Sequence, residues 1–254
     1  MPRPLQVGVI GASGQLGVAA VKAILASPDF ELGAAISRRF AGRKIQDFIS
    51  GAESELTYAE SLLAAIERAP FGIDAIVDVS DPEAAIGHAS DAVAAGCHVI
   101  VGATLPELQR YLMLDDSARA RNVGVLVAPN LSAGSALMQL LVRSGASLFS
   151  RASIEDRAGS HVTAPLRTSL ELAHSIGRAG LIAPIASLRQ DRFVSEIDLR
   201  LEAEGQELLI SVRAASAVPY AEGVLSALRR LGTWSGLRVG LETVLFPSCS
   251  IDWN

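Results

Sequence analysis

The sequence predicts an α/β protein in two parts, and three observations carry that prediction. Over residues 5–130 short β-rich runs alternate with helix-length segments, the pattern of parallel strands covered on both faces by helices. The first of these runs ends in a glycine-rich turn that opens a helix. Beyond residue 134 the alternation stops and two long strands of period 2 follow, so a second architecture of α+β type is expected.

The strand-like runs are LQVGVI (5–10), ELGAAI (31–36), DAIVDV (74–79), HVIVGA (98–103) and VGVLVA (123–128). Their apolar character on both sides of the pleat suits strands buried between two helical layers. Helices are expected at QLGVAAVKAILA (15–26), DPEAAIGHASDAVAAG (81–96) and LPELQRYLMLDDSARAR (105–121). Asp81 is placed to cap the second of these, with Pro82 in the first turn, where its missing N–H has no helical partner to lose. After PNLSAG (129–134) come a helix-like run at 135–149, a polar loop within IEDRAGSHVTAPLRTSLELA (154–173) and a helix at 167–180. Strands over 193–205 and 206–216 then form an antiparallel pair turning at Glu204-Gly205. The segment AEGVLSALRRLG (221–232) has the helical pattern of the first half, so the chain is expected to return to the first part.

Composition excludes several functions. With half of 254 residues apolar and 19% charged, the chain has material for one large or two smaller cores. A net charge of −5, without clustered basic residues, gives no electrostatic footprint for nucleic acid. No uncharged apolar run is long enough to span a bilayer, and the N-terminus runs directly into a strand and turn rather than a leader. Cys97 and Cys249 lack metal-ligand spacing and cannot form a disulfide framework, as expected of a cytoplasmic protein.

The turn Gly11-Ala12-Ser13-Gly14-Gln15-Leu16-Gly17 stands between a strand and a helix, the context in which glycines let backbone approach a pyrophosphate. The helix N-terminus supplies unpaired N–H groups and the positive end of the dipole. A dinucleotide is therefore the expected cofactor. The second strand ends at Ser37-Arg38-Arg39, where a carboxylate would bind the ribose 2′-hydroxyl of NAD. Two guanidinium groups there favour a 2′-phosphate, so NADPH is expected ahead of NADH, with NADH still possible.

GASGQLG, VDVSDPEAA, VIVGAT, APNLSAGSALMQLLV, the loop beginning IED, SLRQDRFVSEIDLRL and AASAVPYAEGVLSALRRL follow one another in the order and spacing of dihydrodipicolinate reductases, which the chain resembles over nearly its whole length. The resemblance implies an N-terminal Rossmann-type dinucleotide-binding domain (1–130 plus 219–254) and a second α+β domain on a mixed open sheet (131–218) that binds substrate and carries oligomerisation, commonly into tetramers. It implies that Gly11, Ala12, Gly14, Gln15, Leu16 and Gly17 form the pyrophosphate turn and that Arg38 meets the adenosine phosphate. Val79, Ser80, Gly102, Ala103 and Thr104 would flank the nicotinamide ribose, and Ala128, Asn130 and Leu131 would border the nicotinamide.

The family's loop, E-x-H-H-x-x-K-x-D-x-P-S-G-T-A, is rewritten here. Glu155, Pro165 and Thr168 keep their places, but Arg157 and Ala158 replace the histidine pair, His161 the lysine, Thr163 the aspartate and Leu166-Arg167 the serine and glycine. The resemblance thus implies an NADPH-dependent reductase acting on a different small unsaturated intermediate, such as a cyclic imine or enamine. His161 has the ordinary pKa for general acid work, near 6.5, or is a solvated loop residue. Arg157 stays charged and would bind an anion or polarise a carbonyl, while Arg167 and Thr168 would meet a substrate carboxylate. His88 and His98 read as structural, His174 has no companions for a metal site, and no nucleophile elbow accompanies Ser160-His161. The alternative is a non-redox cyclase or isomerase, or a non-catalytic protein, on the same scaffold with a bound or vestigial nucleotide site.

Overall fold

A computed structural model of the chain describes residues 3–52, 54–102, 108–159, 164–190 and 195–249. Ala103, Thr104 and His161 lie outside the described residues. The first part runs β1 (Leu5–Ile10), α1 (Gln15–Ala26), β2 (Phe30–Ile36), α2 (Leu62–Arg68), β3 (Ala75–Asp78), α3 (Pro82–Ala94), β4 (His98–Val101), α4 (Leu108–Leu112), α5 (Leu114–Ala120) and β5 (Gly124–Val127). It continues through α6 (Ala133–Gly145), β6 (Arg151–Ala158), α7 (Arg167–Arg178), β7 (Ile185–Arg189), β8 (Ser195–Ala203) and β9 (Gln206–Ala214). The chain closes with α8 (Val218–Leu228), β10 (Gly236–Val239) and α9 (Glu242–Leu245).

Six parallel strands in the order β10-β5-β4-β3-β1-β2 form the first sheet. Alternate side chains of these strands feed two cores, because successive residues of a strand face opposite ways. Val7, Val9, Val77, Ile100 and Leu126 pack with Val21 and Ile24 of α1 and Val224 and Leu228 of α8. Ile76, Val99, Val101 and Val125 pack on the other face with Ala85, Ala89 and Val93 of α3 and Ala118 of α5. Each aliphatic side chain so buried contributes about 1.5–3 kcal/mol relative to exposure. Chain order reverses at β1, with β2 on one side and β3 on the other, so a crevice for ligands opens at the carboxyl edge there.

The second sheet is mixed, in the order β7-β6-β8-β9, with β7 parallel to β6 and β8 antiparallel to both β6 and β9. Ala152 and Ile154 of β6 with Ile197, Leu199 and Leu201 of β8 form one face, packed against Met138 and Val142 of α6 and Leu172 and Ile176 of α7. The intervening positions Ser153, Glu155, Arg157, Glu196, Asp198 and Arg200 are in register on the opposite face, against which no helix among the described residues packs. This is the α/β fold with a second, mixed-sheet part that the sequence predicts.

Four details differ from expectation. The helix expected over 105–121 is broken at Met113, which is 80% exposed while Tyr111 and Leu114 on either side are buried. Helix α2, strand β7 and strand β10 were not expected: α2 and β10 span only 7 and 4 residues, too short for periodicity to reveal. Strand β10 adds a sixth strand beside β5, so the C-terminal return of the chain contributes sheet as well as helix.

Candidate active site

The carboxyl edge of the first sheet presents two cavities. The first, about 660 Å³, lies beyond β1, β2 and β3 and is lined by Gly11, Ser37, Arg38, Arg39, Glu60, Ser61, Ser80, Asp81, His88 and Asp91 among others. The glycine turn meets it at Gly11. Gly11 has φ +79°, and its N–H and that of Ala12 both donate to the Ile36 carbonyl at 3.2 and 3.3 Å. At Gly17 a Cβ would stand 2.1 Å from the Gly11 carbonyl oxygen, so only glycine lets α1 begin this close to the turn. No side chain caps α1 at Gly14, which leaves the N–H groups of the first turn, at Gln15, Leu16 and Gly17, available to an anion.

Ser37 is buried at the end of β2, its hydroxyl 2.8 Å from that of Ser13. Arg38 and Arg39 follow in a short 3₁₀ turn and are exposed at the cavity rim, with Arg39 stacked over Phe40. Behind the lining residues His88 and Ser80, Asp78 at the end of β3 is fully buried; its Oδ2 lies 2.8 Å from His88 Nδ1 and its Oδ1 accepts from the Ser80 N–H. The hydrogen bond to Asp78 raises the His88 pKa above the ordinary imidazole value, against opposition from burial and Arg38. His98, by contrast, accepts from the Gly124 N–H at 2.8 Å and burial lowers its pKa, so it is a neutral structural acceptor. Cys97 is a buried free thiol, pushed up to about 11 chiefly by that burial, and is chemically quiet.

The second cavity, about 450 Å³, opens beyond β5 and β10 and runs between α6, α7 and α9. Asn130, three residues past β5, ties it together: its Oδ1 accepts from the Ser132 N–H at 2.8 Å and its Nδ2 donates to Thr168 Oγ1 at 2.7 Å. Ala128 and Leu131 are buried behind it. Deeper in, Gln139 donates to Ser175, and Arg143 Nη1 lies 2.8 Å from Glu242 Oε1. Glu171, one turn past Thr168 on α7, lines the same space together with His174. Burial, reinforced by the neighbouring Glu242 and only partly countered by Arg143, pushes the Glu171 carboxyl up to about 8. Burial raises Glu242 as well, with Arg143 pulling the other way.

Of the nominated residues, Gly11, Ser37, Arg38, Arg39 and Ser80 line the first cavity and Asn130 and Thr168 the second, while Ala12, Gly14, Gln15, Leu16 and Gly17 line neither. Val79 and Gly102 stand at the carboxyl ends of β3 and β4; the Val79 N–H donates to the Ile10 carbonyl and that of Gly102 to the Asp78 carbonyl. Arg167 is exposed at the first position of α7. Arg157 is elsewhere. It lies on the helix-free face of the second sheet, away from the face against which α7 packs, and its guanidinium is engaged by Asp198 at 2.8 Å, Glu196 at 3.3 Å and Glu155. On β6 it is instead the buried Asp156 that faces the loop, accepting from the Leu166 N–H at 2.8 Å.

Glu171, Arg143, Gln139, Glu242, His88 and Asp78 were not picked out by sequence reasoning. On a single helix a charged residue reads as a solvated one, and the three acidic and basic groups around the inner cavity come from α6, α7 and α9, far apart in the chain. Among the described residues no group of His, Cys, Asp and Glu is arranged to hold a metal ion, and no helix is long and apolar enough to cross a membrane.

A family model described as "Dihydrodipicolinate reductase, N-terminus" matches residues 5–131. The chain is similar to 4-hydroxy-tetrahydrodipicolinate reductase of Geobacillus thermodenitrificans, at 26% identity over 95% of this chain and 99% of the relative. It is likewise similar to the protein of that name from Cutibacterium acnes, at 28% identity over 95% and 98%. Among solved structures, dipicolinate-bound dihydrodipicolinate reductase from Paenisporosarcina sp. TG-14 superimposes with a TM-score of 0.79, covering 95% of this chain and all of that one at 20% identity, which supports the fold.

Proposed function

Because the chain belongs to the dihydrodipicolinate reductase family, we propose that it is an NADPH-dependent reductase whose substrate is a small cyclic imine or enamine other than the dicarboxylate after which the family is named. One observation carries this reading: the cofactor turn is built to family pattern while the substrate loop is not. A Cβ at Gly17 would fill the turn, and α1 begins without a side-chain cap, so this edge fits a pyrophosphate. At the start of α7, Leu166 and Arg167 put bulk and charge where the family presents serine and glycine. Arg157, standing in place of the first family histidine, is held by three carboxylates on the other face of the sheet.

In this reading residues 1–130 with 219–254 bind the dinucleotide and 131–218 bind substrate and mediate assembly. The turn residues Gly11, Ala12, Gly14, Gln15, Leu16 and Gly17 hold the pyrophosphate through backbone N–H groups, and Ser37, Arg38 and Arg39 receive the 2′-phosphate. Val79, Ser80 and Gly102, with Ala103 and Thr104, flank the nicotinamide ribose, and Ala128, Asn130 and Leu131 wall the ring. When bound, the reduced nicotinamide supplies a hydride. Thr168, oriented by Asn130 Nδ2, and Arg167 at the start of α7 meet a substrate anion. His161 stands in the loop as a candidate proton carrier. The helix-free face of the second sheet, where Leu188 and Leu209 remain half-exposed, suits self-association into a homo-oligomer.

NADPH oxidation measured against cyclic imines, enamines and dihydrodipicolinate tests the reading, alongside the KM values for NADPH and NADH. Turnover of an imine with a lower KM for NADPH supports it. Efficient turnover of dihydrodipicolinate alone, or equal KM values, overturns the substrate or the cofactor assignment respectively.

A further inference from the structure

We propose that Glu171 donates the proton to the substrate nitrogen, and that the inner cavity beside it selects a cyclic imine bearing at most one carboxylate. The proposal rests on the reductase reading of the same site. Its geometry starts from Asn130 and Thr168, joined by a 2.7 Å hydrogen bond at the mouth of the 450 Å³ cavity. Glu171 follows Thr168 by three residues on α7, so the two side chains share one helix face, and both line this cavity. A ring held at Thr168 therefore has the Glu171 carboxyl as its neighbour on the inner side.

The surroundings keep that carboxyl protonated at neutral pH. Charged groups reach it from two other elements, Arg143 on α6 and Glu242 on α9; His174 on its own helix lines the same cavity, and Arg178 acts on Arg143. Arg143 is closely paired with Glu242 at 2.8 Å, and Glu242 adds repulsion to the burial of Glu171. A carboxyl poised at about 8 is matched to an acid that works near neutrality. The same set offers little to a second carboxylate on the ring, because Arg143, the arginine that lines this cavity, is already paired with Glu242 and the protonated Glu171 carries no charge to match it.

The step balances without any further reagent. The O–H bond of Glu171 breaks as an N–H bond forms at the imine nitrogen, leaving a carboxylate beside an iminium cation. Hydride from the dihydronicotinamide that the first part would hold would then reduce the iminium carbon, the C=N π pair becoming the amine lone pair, and Glu171 would regain its proton from solvent.

The test uses the full chain, its E171Q, E171D and H161A variants, and three probes: Δ1-pyrroline, Δ1-pyrroline-2-carboxylate and Δ1-piperideine-2-carboxylate. With NADPH, wild-type kcat should be flat at low pH and fall above an apparent pKa near 8, where the acid is lost. E171Q should lower kcat by about 10²–10⁴-fold and remove that limb, while NADPH binding by fluorescence stays within about threefold and E171D regains part of the rate. A second readout needs no turnover: the infrared carbonyl band of a protonated carboxyl, present in wild type and absent in E171Q, should disappear near pH 8. Pyrrolidine, a saturated cyclic ammonium, should convert the band to carboxylate at neutral pH. A limb near 6.5 that vanishes in H161A but persists in E171Q, or a wild-type protein without the band, overturns the role of Glu171 and leaves the reductase reading standing. Tight NADPH binding with none of the imines reduced overturns that reading and the Glu171 proposal with it.

Discussion

Two residues show how a side chain's partners decide what it is free to do. Arg157 has the right chemistry for holding a substrate anion, but three carboxylates surround it, and breaking such a partly buried network leaves like charges facing each other. Replacing it by Gln is expected to lower the thermal midpoint and weaken self-association, measured by calorimetry and light scattering. Arg38 and Arg39 have no such carboxylate neighbour within ion-pair distance among the described residues and stand at the first cavity's rim. The double change R38A/R39A is expected to raise the Kd for NADPH about tenfold or more while that for NADH moves about twofold or less, because charge-assisted hydrogen bonds contribute roughly 1.5–3 kcal/mol before solvent screening. His88 gives a pH signature. Its folded-state pKa is raised by Asp78, so the pair's stabilisation is fully present below the unfolded value and is lost as pH climbs through the folded one. H88Q should accordingly cost more stability at about pH 5.5 than at about pH 9, read by urea denaturation.

At the scale of elements, α7 does two jobs. Leu172 and Ile176 are fully buried against β6 and β8, while Thr168 and Glu171 face the second cavity. L172A should destabilise by about 2–5 kcal/mol, the usual range for a buried leucine. E171Q should do the reverse in a pH-dependent way: a carboxyl raised from 4.5 to about 8 holds its proton longer in the folded state, so the native protein loses stability as pH rises between those values. Relative to wild type, the variant should gain stability across that window in urea denaturation. The strands and long helices were legible because LQVGVI, HVIVGA and QLGVAAVKAILA carry an unambiguous period or a two-faced apolar run, and the turn at 11–17 announces its own geometry. Strand β10 was hidden because four residues hold no period, and β7 because IASLR is partly polar and lies at a sheet edge. The direction of Arg157 was equally hidden. It depends on the pairing register of β6 with β8, which places odd-numbered residues on the helix-free face, and register is a tertiary property.

At the scale of the whole molecule, the first sheet brings the cofactor turn, the ends of β3 and β4, and Asn130 to one edge, and the second part lowers α7 onto that edge through the Asn130–Thr168 hydrogen bond. On the proposed reading, this division would let a chain keep one half of a reaction while changing the other. The turn and the rim arginines belong to elements packed on the first sheet, whereas the altered positions lie between β6 and α7, and the Glu171 cavity runs between α6 and α7 on one side and the ends of β5 and β10 with α9 on the other. The most direct test of that claim is a side-by-side comparison of kcat/KM, with saturating NADPH, for dihydrodipicolinate and for Δ1-piperideine-2-carboxylate, a ring with one carboxylate fewer. The account predicts that the monocarboxylate is preferred by at least about tenfold, equivalent to roughly 1.4 kcal/mol of transition-state discrimination; a preference of that size for dihydrodipicolinate would contradict it.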